Sequence, residues 1–148
     1  MCQQSGRRTS SYEMDPIEEI KTRLGKYPNV RYKTGSSSIT VLPTSEDGFT
    51  VVFDVAHDRY IVFFNGWHED FKDVSEALNC FAFGLSDECR LKEYRRGGFA
   101  YRWIVESKDN GQWVEGSETG LFLFPFWKQS NVVYLQNNLI TTSEIPAS

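Results

Sequence analysis

His68 is the side chain best placed by sequence to do chemistry. It stands in the run Asn65-Gly66-Trp67-His68-Glu69-Asp70, between an apolar segment and a helical pattern, where binding and catalytic groups often project. An imidazole beside two carboxylates could shuttle a proton or join a metal site. A metal needs converging ligands, and no second histidine lies two or four positions away; His57 falls in a separate turn. Glu69 and Asp70 also suit the first turn of a helix through its dipole, and Trp67 can close the core above it, so the structural role outweighs the catalytic one. No metal or other cofactor is expected.

Nucleophilic catalysis requires a thiol or hydroxyl beside an oriented base. Cys80 lies in an apolar helical stretch next to Phe81, where small cysteines are commonly buried and inert, and Cys89 shares a strand face with Leu91. Cys2, Cys80 and Cys89 are odd in number and lack close metal-ligand spacing, which favours reduced thiols and a cytoplasmic location. The Gly35-Ser36-Ser37-Ser38 turn is not a nucleophile elbow, and the chain has neither a phosphate-cradling loop nor a dinucleotide fingerprint. The chain reads as leaning away from an enzyme.

Three surfaces remain as candidates. Trp67, His68, Tyr101, Arg102 and Trp103 could close a small-molecule pocket, with Arg102 holding an anion. Arg90, Lys92, Arg95 and Arg96, with Arg102, are interleaved with Tyr94 and Tyr101, and alternation puts Arg90, Lys92 and Arg96 on one face. Such a patch could hold single-stranded nucleic acid by phosphate contact and stacking. Against this stand a net charge of −4 and a pI near 5.2, since phosphate binding normally requires a basic face. The third surface is the apolar run Leu121-Phe122-Leu123-Phe124-Pro125-Phe126-Trp127, in which Phe122, Phe124, Phe126 and Trp127 are the candidate partner-binding residues. Pro125 cannot donate a ladder hydrogen bond, so this segment reads as an edge strand, and apolar edges are commonly covered by a second subunit.

The elements that must position these groups follow from periodicity. Asp15-Pro16-Ile17-Glu18 is a helix start, and Ile17, Ile20, Leu24 and Tyr27 recur at helical spacing up to the Gly25–Pro28 stop. Period-two segments follow at 29–33, 39–42 and 49–55, then an apolar run over 59–64 that reads as a central strand covered on both faces. A second helix is expected from Glu69 to Leu85, where Phe71, Val74, Leu78, Phe81 and Leu85 form a stripe. Strands then run over 89–96 and 99–107 about the Gly97-Gly98 turn. After the Asp109-Asn110-Gly111 turn comes 112–115, then a loop or bulge at 116–120, and later 132–135.

The expected architecture is therefore α+β. It is a mostly antiparallel, strongly curved sheet of about seven to eight strands with two helices, in the order α-β-β-β-β-α-β-β-β-β. Residues 1–14 read as a disordered arm, 15–138 as one domain and 139–148 as a loose tail. A chain of 148 residues, 40% hydrophobic and 24% charged, can bury a sizeable core, and no apolar run reaches the ~20 residues of a membrane span. Its 15% aromatic content, with eleven Phe, seven Tyr and four Trp, points to a broad sheet and a partner surface.

In its order of helix, strands, helix, strands and its small acidic composition, the chain resembles the type III secretion chaperones and YbjN-type domains. The likeness is one of layout, without a C-terminal helix, and assigns no site residue. The reading that follows is a non-enzymatic protein-binding, chaperone-like module acting as a homodimer. The alternatives are a small-molecule binder or enzyme with a pocket at Trp67 and His68, and a nucleic-acid binder through Arg95 and Arg96.

Overall fold

In a computed structural model, residues 15–121 and 126–141 are described. Helix α1 spans Pro16–Leu24. Five strands follow: β1 (Arg31–Thr34), β2 (Ser38–Leu42), β3 (Val51–Val55), β4 (Tyr60–Phe64) and β5 (Trp67–Phe71). Helix α2 spans Val74–Leu85 and leads to β6 (Cys89–Arg96), β7 (Phe99–Asp109), β8 (Gln112–Gly120) and β9 (Ser130–Leu135). The fold is α+β, and its strands form two antiparallel sheets rather than one curved sheet. The first is a five-stranded meander in the order β1-β2-β3-β4-β5; the second has four strands in the order β9-β6-β7-β8.

Local sequence explains most boundaries. Asp15 accepts a hydrogen bond from the Ile17 N–H at 2.9 Å and Pro16 opens α1, while Asp73 caps α2 through the Glu76 N–H. The second helix starts at Val74 and not at Glu69, because Asn65-Gly66 does not simply end a strand. Asn65 adopts a φ of 52° and turns the chain into a hairpin, so Trp67–Phe71 pairs back on Tyr60–Phe64 with Phe64 opposite Trp67. Gly66 is required there, since a Cβ would overlap the Trp103 ring.

Other expectations change with the register. The 59–64 segment is the fourth of five strands: Val62 and Phe64 are fully buried, but Ile61 and Phe63 on the opposite face are only half-buried. Gly116 and Ser117 lie inside β8 as a bulge, since Glu106 pairs with Glu115 and Ile104 with Glu118. Leu139 and Ile140 pack against the core, and Ile140 exchanges backbone hydrogen bonds with Leu85 and Asp87, so the fold continues beyond residue 138.

The core lies where α1, α2 and the inner faces of both sheets meet. Ile39, Val41, Val51, Phe53, Val62 and Phe64 supply the first sheet's face, and Ala77, Phe81 and Leu85 that of α2. Leu91, Trp103 and Val105 come from the second sheet. Two buried polar groups tie the layers together. Asn137 accepts from the Phe49 N–H at 3.0 Å and donates to the Phe49 and Gly84 carbonyls, satisfying backbone groups no strand reaches. Glu93, only 4% exposed, accepts from the Trp103 indole at 2.8 Å, from the Asn65 amide at 3.3 Å and from Arg95 at 2.7 Å. Glu93 thereby joins the β4–β5 turn to the second sheet.

Candidate functional site

The five residues nominated for a small-molecule pocket are not brought together. Trp67 is 2% exposed, stacked on Phe64 with ring centroids 4.6 Å apart, and its indole donates to the Ser117 hydroxyl at 3.0 Å. Alternation along β5 turns His68 away from that core: its side chain is exposed, with its ring 5.8 Å from Phe63, and its backbone N–H donates to the Thr119 hydroxyl. Trp103 is buried on Glu93 and Tyr101 is buried near the Tyr94 ring, whereas Arg102 lies on the outer face of the second sheet.

Two concavities accompany the fold. A cleft of about 460 Å³ between β5, α2 and the β7–β8 hairpin is lined by Trp67, Glu69, Cys80, Val105, Ser107 and Ser117, so Trp67 alone of the nominated five reaches it. An apolar groove of about 400 Å³ between α1 and α2 is floored by Ile20, Leu24, Leu78, Phe81 and Leu85, and takes none of the nominated residues. The Cys80 thiol in the cleft is pushed up to about 12 by burial, with the nearby Glu69 charge adding to it. Cys89 is driven up further by burial. Both are therefore thiols rather than thiolates at neutral pH. Cys80 and Cys89 should resist maleimide labelling in the folded protein at pH 7 and react in urea, as peptide mass spectrometry would show; rapid native labelling of Cys80 would mean that the cleft activates it. Among the described residues no group of three metal-ligating side chains comes together.

The basic hairpin is occupied by its own counter-charges. Arg90 pairs with Glu106 at 2.6 Å and lies between the rings of Trp113 and Tyr134, at 4.6 and 4.3 Å from their centroids. Lys92 meets Glu115 at 2.8 Å, and that hydrogen bond holds its ammonium well above the ordinary lysine range. Arg102 grips Glu118 with two hydrogen bonds of 2.9 and 3.1 Å, which lowers the carboxyl of Glu118 below its usual range. Arg95 turns to Glu93. The register shift between Tyr94 and Arg95 leaves Tyr101 of β7 as the extra residue, and Arg96 donates to the Phe126 and Lys128 carbonyls. Phosphate would have to displace carboxylates already held at hydrogen-bond distance. The stems of these long side chains also cover Ile104, which is 3% exposed on the same face.

The apolar segment is where the surface is most unusual. Phe122 and Phe124 lie outside the described residues. Phe126 and Trp127 form a turn in which their side chains are 71% and 70% exposed and touch edge to face, with centroids 5.3 Å apart. Arg96 anchors this turn by donating to the Phe126 and Lys128 carbonyls at 3.2 and 3.0 Å, and the Gly97 N–H donates to the Gln129 carbonyl. Phe99, 45% exposed at the β6–β7 turn, and Leu121, 43% exposed and bonded through its N–H to the Tyr101 carbonyl, extend the apolar surface at this end of the sheet. The sequence marked the aromatic run, but the partner that fixes it, Arg96, was legible only as part of a basic patch.

The class the geometry defines is an α+β domain of two antiparallel sheets with an apolar end, and no helix among the described residues is long and apolar enough to cross a membrane. No protein-family model, no characterised protein and no solved structure matches the chain.

Proposed function

We propose that the protein is a non-enzymatic, chaperone-like binding module that acts as a homodimer and holds apolar segments of other polypeptides at the end of its second sheet. One observation carries this reading: Phe126 and Trp127 are about 70% exposed although the turn that bears them is fixed by Arg96. A large aromatic side chain left in water forfeits roughly 1.5–3 kcal/mol of burial, so two together on an anchored turn favour a surface that is covered in use. Aromatic residues on pre-positioned backbone make effective contact anchors because little entropy remains to be lost on binding.

Reduced insulin, whose B chains aggregate, is a suitable probe. The protein should suppress light scattering from the aggregating chains, and Phe126→Ser with Trp127→Ser should weaken that suppression at least several-fold while the far-UV circular dichroism is retained. Equal protection by parent and variant, or none by the parent, would overturn the proposal.

A further inference from the structure

Among the described residues, four strand edges bound the two sheets, and three are protected in recognisable ways. β1 carries Arg31 and Lys33 on a fully exposed strand. β5 carries Glu69 and Asp70, the latter paired with Arg59 at 3.2 Å, and its His68 N–H is taken by Thr119 of β8. β8 carries Glu115 and Glu118, holds a glycine bulge, and meets β5 through Ser117 and Thr119. The fourth edge, β9, has none of these devices. Its sequence Ser130-Asn131-Val132-Val133-Tyr134-Leu135 has no charge, no proline and no glycine, and it pairs with β6 in unbroken register. Val132 and Tyr134 are 38% and 47% exposed on it. Alternate backbone N–H and C=O groups of an edge strand face outward, and a regular, uncharged edge is a template for another strand.

The charges at its two ends indicate which strand. Lys128 lies just before β9. Just after it, the Gln136 N–H donates to the Asp47 carbonyl at 2.7 Å, which places the exposed Glu46-Asp47 loop at the other end. The strand is thus neutral in the middle, positive before it and negative after it. Laid antiparallel on itself about a two-fold axis at Val132, it sets Val132 opposite Val132 of the second copy and Lys128 opposite the second copy's Gln136. The same pairing brings Lys128 towards the Glu46-Asp47 loop of the second copy, twice over by symmetry. We propose that two copies of this chain pair antiparallel along β9, joining their four-stranded sheets into one eight-stranded sheet, with Lys128 of each facing Glu46 and Asp47 of the other. This rests on the homodimeric part of the functional reading and supplies its interface; the Phe126–Trp127 turns then sit at opposite ends of the self-pair, free for other polypeptides.

The test is the solution mass over a dilution series, by light scattering after size-exclusion chromatography, together with amide hydrogen exchange. The full chain should be a dimer whose Ser130–Leu135 amides gain protection with concentration. Val132→Lys and Ser130→Lys, each made alone so that one misfolded variant does not decide the matter, should weaken dimerisation at least tenfold. Lys128→Glu and Asp47→Lys should each weaken it several-fold, and the double charge exchange should recover most of the loss. Phe126→Ser with Trp127→Ser should leave the dimer intact, which separates this interface from the proposed binding end. A monomer at all concentrations, a dimer indifferent to Val132→Lys and Ser130→Lys, a dimer broken only by the Phe126 and Trp127 changes, or no recovery on charge exchange would each overturn the proposal. So would protection of Ser130–Leu135 that appears only on adding an extended peptide.

Discussion

Trp103→Ala should destabilise the fold by about 3–5 kcal/mol, the usual cost of deleting a buried aromatic ring. Trp103 is 7% exposed, its ring fills the space that glycine at position 66 leaves open, and its indole N–H donates to buried Glu93. Truncation therefore removes apolar contact between the sheets, opens a cavity that the strands on either side can close only in part, and takes a donor from a carboxylate. Against a total stability of roughly 5–15 kcal/mol for a domain, this is a large fraction. Urea unfolding followed by circular dichroism would measure it. Trp103→Phe, which keeps much of the volume and loses only the N–H, should cost about half as much or less. Equal midpoints for the parent and Trp103→Ala would show that Trp103 is not at the junction of the sheets.

What the sequence revealed and what it hid follow from the range of the forces involved. The alternation Phe49-Val51-Phe53-Val55, the turns at Gly97-Gly98 and Asn110-Gly111 and the cap Asp15 are local signals, and the glycines at 97, 98 and 111 do adopt positive φ. Asn65-Gly66 carried an equally strong hairpin signal. It is outweighed because Phe71 happens to extend the apolar stripe of α2 backwards, and because Glu69 and Asp70 suit a helix start as well as an edge strand. The helical pattern over 69–85 thus conceals a strand and, with it, the edge that meets β8.

The division into two sheets was not legible because it depends on which strands fail to pair, a non-local property. Balance of the basic hairpin by nearby Glu and Asp follows from the acidic composition, and the same limit hid only which carboxylates supply it. Arg90, Lys92 and Arg102 are visible as a cluster in sequence, but Glu106, Glu115 and Glu118 reach them only through the β6–β7 and β7–β8 registers. Phe126 and Trp127 were legible as an apolar run, and what the sequence could not supply was their exposure on an anchored turn.

Glu93 is the sharpest case, because in sequence it is one carboxylate among Lys92, Arg95 and Arg96 on an apparently solvated strand, yet its side chain is 5% exposed and accepts from three donors. Glu93→Leu, of similar volume, should cost about 3 kcal/mol or more. It strands the Trp103 indole N–H and the Asn65 amide in the interior and leaves the Arg95 guanidinium without its carboxylate. Breaking a buried pair commonly costs 3–5 kcal/mol; Arg95 is 35% exposed and can turn to water, which places the expectation at the lower end. Glu93→Gln keeps an acceptor for Trp103 and Asn65 and should cost only about 1 kcal/mol. Because the indole and the carboxylate need each other, Glu93→Leu combined with Trp103→Phe should cost less than the sum of the two alone. Urea midpoints for the four proteins of this cycle would decide it: strict additivity would mean that Glu93 and Trp103 act independently, and the two sheets would then be joined by apolar packing alone.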